Sequence, residues 1–198
     1  MRFLLPLAVL AVIASGCLGE GGGPPATIEE RGDELEDVPL RADEAPPGLQ
    51  EDQRGSGPVE GLRDVLPPRR TAPGLPEVPR SLIHDFEAGY QRLFVAEGGG
   101  PQSGASSALR FADSAAAAAF LELLKTTHDA TTDEALLEAV ALGDEAYGWT
   151  RQVPGAQTTG FVWRSGDLVL TVTLSARVGD GGPDRVLPVA RQVDQRLG

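Results

Sequence analysis

The side chains that could carry nucleophilic, redox or metal chemistry are few in this chain of 198 residues. It contains one cysteine, Cys17, and two histidines, His84 and His128. A hydrolytic nucleophile needs a base and an orienting group beside it, and a zinc site needs several converging ligands. Neither histidine lies in such a pattern, and a single thiol excludes internal disulfides and paired-cysteine motifs. The sequence therefore predicts a protein that is not an enzyme and holds no metal or cofactor.

Three aromatic residues are candidates for a ligand site of another kind. Trp149, Phe161 and Trp163 could line a pocket for an apolar molecule, because aromatic side chains commonly line binding clefts. Alternatively, they fill the core of a domain in which aromatic residues make up only 5% of the chain. We favour the core and keep the apolar pocket as the second hypothesis.

Cys17 ends a distinctive N-terminal stretch. An arginine at position 2 precedes a run of apolar residues at 3–14. A permanent membrane-spanning helix needs about 20 residues, so this shorter run is typical of a cleaved export signal. Ala14-Ser15-Gly16-Cys17 resembles the lipobox of bacterial lipoproteins. That resemblance implies cleavage between Gly16 and Cys17 and a lipid on the Cys17 sulfur.

A lipidated Cys17 would place the protein on the extracytoplasmic face of the cell membrane, with the membrane as its first partner. The net charge is −12, and no basic face is visible, so nucleic acid is excluded as a partner. The acidity is concentrated between Glu20 and Glu60, where 12 acidic side chains accompany three arginines. The remaining partner is expected to be an envelope protein or an apolar small molecule.

Composition divides the chain into three parts. Residues 1–16 are the predicted signal peptide, and residues 17–36 are a predicted flexible tether rich in glycine, proline and acidic side chains. Residues 37–198 are the predicted extracytoplasmic domain. A compact part limited to residues 75–198 is the alternative, because proline, glycine and charge dominate much of the preceding segment.

The predicted fold class is α+β, with an antiparallel sheet of about five strands packed against two or three helices. A helix is predicted over residues 80–88, ended by Gly89, and a second over residues 115–126, capped by Asp113 or Ser114. Strands are predicted at residues 90–97, 107–112 and 146–153. Residues 134–142 fit either a short helix or an irregular approach to the next strand.

The strongest local pattern is GFVWRSGDLVLTVTLSA, at residues 160–176. A two-residue turn at Ser165-Gly166 pairs Trp163 with Leu168 and Phe161 with Leu170. One face is then apolar and the other mostly hydroxylated, which predicts a sheet covered on one side. The last segment, residues 184–197, has the spacing of an amphipathic helix that docks on this sheet.

Several segments resemble those of uncharacterised lipoproteins from high-GC Gram-positive bacteria, over roughly residues 38–198. Examples are LRADEAPPGL, DFEAGYQRLF, VWRSGDLVLTV and ARQVDQRL. The order of elements is also loosely similar to the PsbP/Mog1-type sandwich and to secreted sensor domains. These resemblances imply a non-catalytic binding, sensing or envelope-assembly domain and supply no catalytic residues. A carrier of lipid or another apolar ligand and an unrecognised envelope hydrolase are the alternatives.

Overall fold

The computed structural model describes residues 26–65, 77–98, 102–131, 133–137 and 140–197. Its helices are α1 Ile28–Asp33, α2 Leu62–Val65, α3 Arg80–Asp85, α4 Ser114–Asp129 and α5 Pro183–Asp194, with a 3₁₀ turn at Ala42–Glu44. Its strands are β1 Leu49–Glu51, β2 Gly57–Pro58, β3 Phe86–Ala96, β4 Ser103–Phe111, β5 Glu134–Leu137, β6 Glu145–Val153, β7 Ala156–Ser165 and β8 Leu168–Ala176.

The described strands form one antiparallel sheet in the order β1-β3-β4-β8-β7-β6-β5, and β2 also pairs with β3. The antiparallel sheet is confirmed, but about five strands was too few, since the described part of the chain contains eight. The additional strands β1, β2 and β5 have only two to four residues. Segments this short contain too few alternations to give a strand signal.

Both faces of the sheet are buried. On one face, α4 covers a cluster that includes Phe111, Val162 and Val169. On the other face, α5 covers a cluster that includes Trp163, Leu170 and Val172. The prediction of a sheet covered on one side is therefore wrong. The hydroxyl-bearing residues Thr171, Thr173 and Ser175 remain half-buried on the α4 face, which explains why the sequence pattern looked solvent-facing.

The β7–β8 hairpin is confirmed, but its turn lies one residue later than predicted. Ser165 pairs with Leu168, so Gly166 and Asp167 form the turn. Trp163 consequently pairs with Leu170, not Leu168. Gly166 adopts a φ of 60°, a left-handed conformation that glycine accepts readily and that suits tight hairpin turns. Each residue keeps its predicted face because the cross-strand partner shifts by two positions.

Two further predictions are corrected by the packing around β3 and β5. The helix predicted over residues 80–88 ends at Asp85, and Gly89 lies inside β3 instead of capping the helix. A Cβ on Gly89 would lie 2.8 Å from a Leu109 methyl and 2.9 Å from the Val59 Cβ, so close packing accounts for the glycine. Residues 134–137 form β5 and not a helix, because they complete the sheet edge beside β6.

The N-terminal segment belongs to the folded domain. Within the predicted tether, residues 28–33 form α1, and Leu35 is fully buried against Ala88 and Tyr90. The folded part therefore begins well before residue 75 and includes the last residues of the segment assigned to the tether. Residues 1–25, which contain the predicted signal peptide and most of the tether, lie outside the described residues.

Two arginines hold this N-terminal segment onto the rest of the domain. Arg92 in β3 donates from Nη1 to both Glu51 carboxylate oxygens at 3.1 and 3.0 Å, and from Nη2 to the Glu36 carbonyl at 3.1 Å. Arg196, just after α5, donates to Glu44 at 2.6 Å and to the carbonyls of Val38 and Pro39 at 3.0 and 2.8 Å. Each guanidinium thus joins a carboxylate to backbone carbonyls, a strong and directional arrangement.

We predict that Arg196→Ala lowers the free energy of unfolding by about 2 kcal/mol, because it removes three hydrogen bonds and leaves the part-buried Glu44 carboxylate without its cation. Urea denaturation measures the loss, and hydrogen exchange should show faster exchange of residues 36–45. Arg191→Ala, an exposed change in the last turn of α5, should stay within about 0.5 kcal/mol. Equal effects of the two variants would contradict the conclusion that Arg196 holds the N-terminal segment in place.

Candidate functional site

The structure separates the three aromatic residues that the sequence suggested could line one pocket. Trp149 lies in the cluster beneath α4 and is 8% exposed. Phe161 and Trp163 lie in the cluster beneath α5 and are 1% and 0% exposed. The sheet stands between them, so they do not share a cavity. Cys17 and the predicted cleavage site lie outside the described residues.

His128 takes part in a buried polar cluster that sequence reasoning missed. It lies in the last turn of α4, and its ring stacks on Trp149 with ring centres 4.4 Å apart and planes inclined by 17°. Its Nδ1 lies 2.5 Å from Oε2 of Glu134, and each side chain is 10% exposed. The hydrogen bond therefore links the end of α4 to the start of β5. A histidine and a glutamate six residues apart across a turn form no recognised motif, so the sequence carried no signal for this pair.

Tyr147 lies beside this pair and completes the cluster. Its ring centre is 5.9 Å from that of His128. Its hydroxyl is buried, and the described residues offer it no hydrogen-bond partner. Burial raises the pKa of Tyr147 well above the usual value near 10, and the carboxylates of Glu134 and Glu122 raise it further. Tyr147 therefore stays neutral throughout the physiological range.

A histidine–carboxylate pair beside a neutral tyrosine has the residue types of an acid–base site. This cluster is nevertheless largely buried between α4 and the sheet, since His128, Tyr147 and Trp149 are all buried residues. Neither the surface groove between α3 and α4 nor the groove beside α5 includes His128 or Glu134 among its described lining residues. The arrangement fits a structural tie between α4 and β5. The other histidine, His84, lies exposed in the last turn of α3.

The larger groove lies between α3 and α4 and has a volume of about 560 Å³. Its floor is apolar: Leu82 is 4% exposed and Ala116 is 9% exposed. The described residues that line it are Pro79, Ser81, Leu82, Asp85, Asp113, Ala115, Ala116, Ala119, Glu122, Leu123 and Thr126. Three of these carry a carboxylate and none carries a positive charge.

Backbone and capping hydrogen bonds fix the groove's two walls. The Asp85 carbonyl, at the end of α3, accepts a hydrogen bond from the Ala112 N–H at 2.8 Å. The Asp113 carboxylate caps α4 by accepting from the Ala116 N–H at 2.8 Å. The hydrogen bond from Ala112, two residues before α4, to Asp85 therefore holds the end of α3 next to the beginning of α4, which gives the groove a defined shape.

A second groove, of about 360 Å³, lies between residues 44–49 and α5. Its lining is largely apolar, with acidic side chains and Arg185 together at its rim. Beneath it, the void between the sheet and α5 measures about 10 Å³, close to the space of one water-sized probe. This described interface is therefore filled by side chains and has no room for a lipid chain.

Comparisons with known proteins identify a fold and not a family. No protein-family model and no curated protein sequence matches this chain. Among solved structures, the extracellular domain of PknH from Mycobacterium tuberculosis is similar, with a TM-score of 0.52. That similarity covers 89% of this chain and 98% of the other, at 11% sequence identity. At this identity the similarity shows a shared fold.

The described residues contain no group of three or more histidine, cysteine or acidic side chains placed to hold a metal ion. None of the described helices is both long enough and apolar enough to span a membrane. The α3–α4 groove is the candidate functional site, because it combines an apolar floor with three carboxylates among its lining residues.

We predict that Tyr147→Phe raises the free energy of unfolding by about 1 kcal/mol at neutral pH, because it removes a buried hydroxyl that has no described partner. Above pH 10, the unfolded chain loses the tyrosine proton while the folded protein retains it, so stability falls as pH rises. Tyr147→Phe should weaken this fall. Urea denaturation at neutral and alkaline pH measures both effects.

Tyr90→Phe is the matched comparison, because burial also raises the pKa of Tyr90 but its hydroxyl is not among the buried groups without a partner. It should not stabilise the protein at neutral pH. If the Tyr147→Phe protein were as stable as the parent at neutral pH and lost the same stability at alkaline pH, the buried, unpaired hydroxyl of Tyr147 would not explain either effect.

Proposed function

We propose that the protein is a lipid-anchored extracytoplasmic lipoprotein whose folded domain binds a partner protein of the cell envelope without catalysis. The observation that carries the proposal is the position of the chain's single cysteine, at the end of an apolar export-type run within Ala14-Ser15-Gly16-Cys17. The fold similarity to an extracellular domain supports an extracytoplasmic location. Two or three acyl chains, at about 0.8 kcal/mol per buried methylene, provide a lasting anchor.

The interior of the domain supports partner binding over the two alternatives. A carrier needs an enclosed apolar cavity, whereas the void between the sheet and α5 is about 10 Å³. A hydrolase needs reactive groups at an accessible cleft, whereas the side chains of His128 and Glu134 are each only 10% exposed. The α3–α4 groove offers instead an outer surface with an apolar floor, a usual feature of sites that bind a segment of another protein.

We predict that Cys17→Ala releases the protein from membranes and abolishes incorporation of labelled fatty acid, because the thiol is the expected attachment point. Fractionation of cells of the native host measures the release. Ser15→Ala is the control, since a small residue remains before the cysteine. Retention of the Cys17→Ala protein in the membrane fraction would contradict the proposal that a lipid on Cys17 anchors the protein.

A second prediction separates partner binding from lipid carriage. Native mass spectrometry of the Cys17→Ala protein, purified from its own host, should give the mass of the polypeptide alone, because the variant has no lipid anchor and the void between the sheet and α5 is only about 10 Å³. A stoichiometric co-purified lipid would favour the carrier instead.

A further inference from the structure

We propose that the groove between α3 and α4 binds a cationic, amphipathic segment of the partner protein, with an apolar side chain on the groove floor and basic side chains at its rim. This inference rests on the proposed function and adds the chemistry of the partner. It is carried by three features of the groove: an apolar floor, carboxylates as the charged lining side chains, and walls fixed by one backbone hydrogen bond and one helix cap.

The floor is suited to close approach by another segment. Ala115 and Ala119 are exposed on α4 and lie one turn apart, so the surface of α4 between them has no long side chain to obstruct a neighbour. Leu82 and Ala116 close the bottom, and Leu123 continues the apolar surface along α4. An inserted leucine-sized side chain would cover this apolar surface and remove it from water, which favours binding.

The rim selects positive charge. Asp85, Asp113 and Glu122 line the groove, and no basic side chain is among its described lining residues. The Asp113 carboxylate is partly engaged as the cap of α4, and the Glu122 carboxylate has Lys125 beside it at 4.0 Å. Asp85 therefore supplies most of the negative charge that remains for a ligand. A basic side chain beside such a carboxylate is attracted to it more strongly near the protein surface than in bulk water.

The overall charge of the chain also favours a cationic ligand, but it does not select a position on the surface. With a net charge of −12, the chain as a whole repels anionic segments and attracts cationic ones at long range. Long-range attraction alone would spread a cationic ligand over many acidic surfaces. The groove adds the apolar floor, which fixes the position. The groove beside α5 lacks this selectivity, because Arg185 shares its rim with acidic side chains.

The test uses the full-length chain carrying Cys17→Ala, so that no lipid competes for the probe. The probe is a fluorescent helical peptide of about 15 residues, which matches the length of α4, with leucines on one face and lysines on the other. Fluorescence anisotropy measures its affinity. A peptide with glutamate in place of lysine should not bind.

Two variants of equal charge change locate the site. Ala119→Lys places bulk and positive charge on the groove floor, and it should weaken the peptide's affinity by about tenfold or more, equivalent to about 1.4 kcal/mol. Ala42→Lys makes the same change at an exposed position outside the groove and should weaken it by no more than about twofold, since only general electrostatics change. Asp85→Asn should weaken binding and reduce its dependence on salt.

Thermal melts of each variant confirm that it is folded, and chemical-shift mapping with the folded parent should place the peptide at residues 79–85 and 113–126. Equal losses for Ala119→Lys and Ala42→Lys, shifts spread over the acidic N-terminal segment, or binding of the glutamate peptide would overturn the inference. So would failure of the lysine peptide to bind. Release of Cys17→Ala from membranes is scored separately, so the anchor can stand while the groove assignment fails.

Discussion

The burial of β8 on both faces is the constraint from which the architecture follows. Val169 and Leu170 are neighbours in this strand, and both are 0% exposed. Neighbouring strand residues point to opposite faces, so their burial requires a cover on each side of the sheet. The chain supplies α4 before β5 and α5 after β8, one for each face. The centre of the sheet is thereby closed to ligands, and the surfaces left for a partner are the outer sides of the helices and the sheet edges.

The N-terminal segment completes the cover that α5 begins. Leu40 and Leu49 belong to the same cluster as Phe94 of β3 and Val186 of α5. Part of the acidity of this segment serves in ion pairs, because Glu36 and Glu51 contact Arg92 while Glu44 contacts Arg196. The described acidic residues between 26 and 60 therefore do more than keep a tether extended. Any spacer between a lipid on Cys17 and the domain would be correspondingly shorter than the predicted 17–36.

The two sides of α4 have different roles in this arrangement. Its inner side packs on the sheet and ends at His128, whose hydrogen bond to Glu134 ties the short edge strand β5 to the helix. Its outer side carries the small residues Ala115 and Ala119 and faces the groove beside α3. Because the inner side is packed on the sheet, the outer side is held in a defined position. A surface of this kind can bind a segment with little loss of conformational freedom on the protein's side.

The sequence by itself determined the elements whose patterns are long and local. The β7–β8 hairpin, α4 with its Asp113 cap, and α5 were each visible in side-chain periodicity, because alternation and helical spacing repeat within one segment. The export-type run and the lipobox-like Cys17 are local features too, and they stay predictions. Only the tertiary structure decided which segments cover which face, that Trp149 and Trp163 lie on opposite sides, and that His128 meets Glu134. It also decided that α1, β1 and β2 belong to the domain. Those outcomes depend on contacts between residues far apart in the chain. The short elements among them also have too few residues to show a recognisable periodicity.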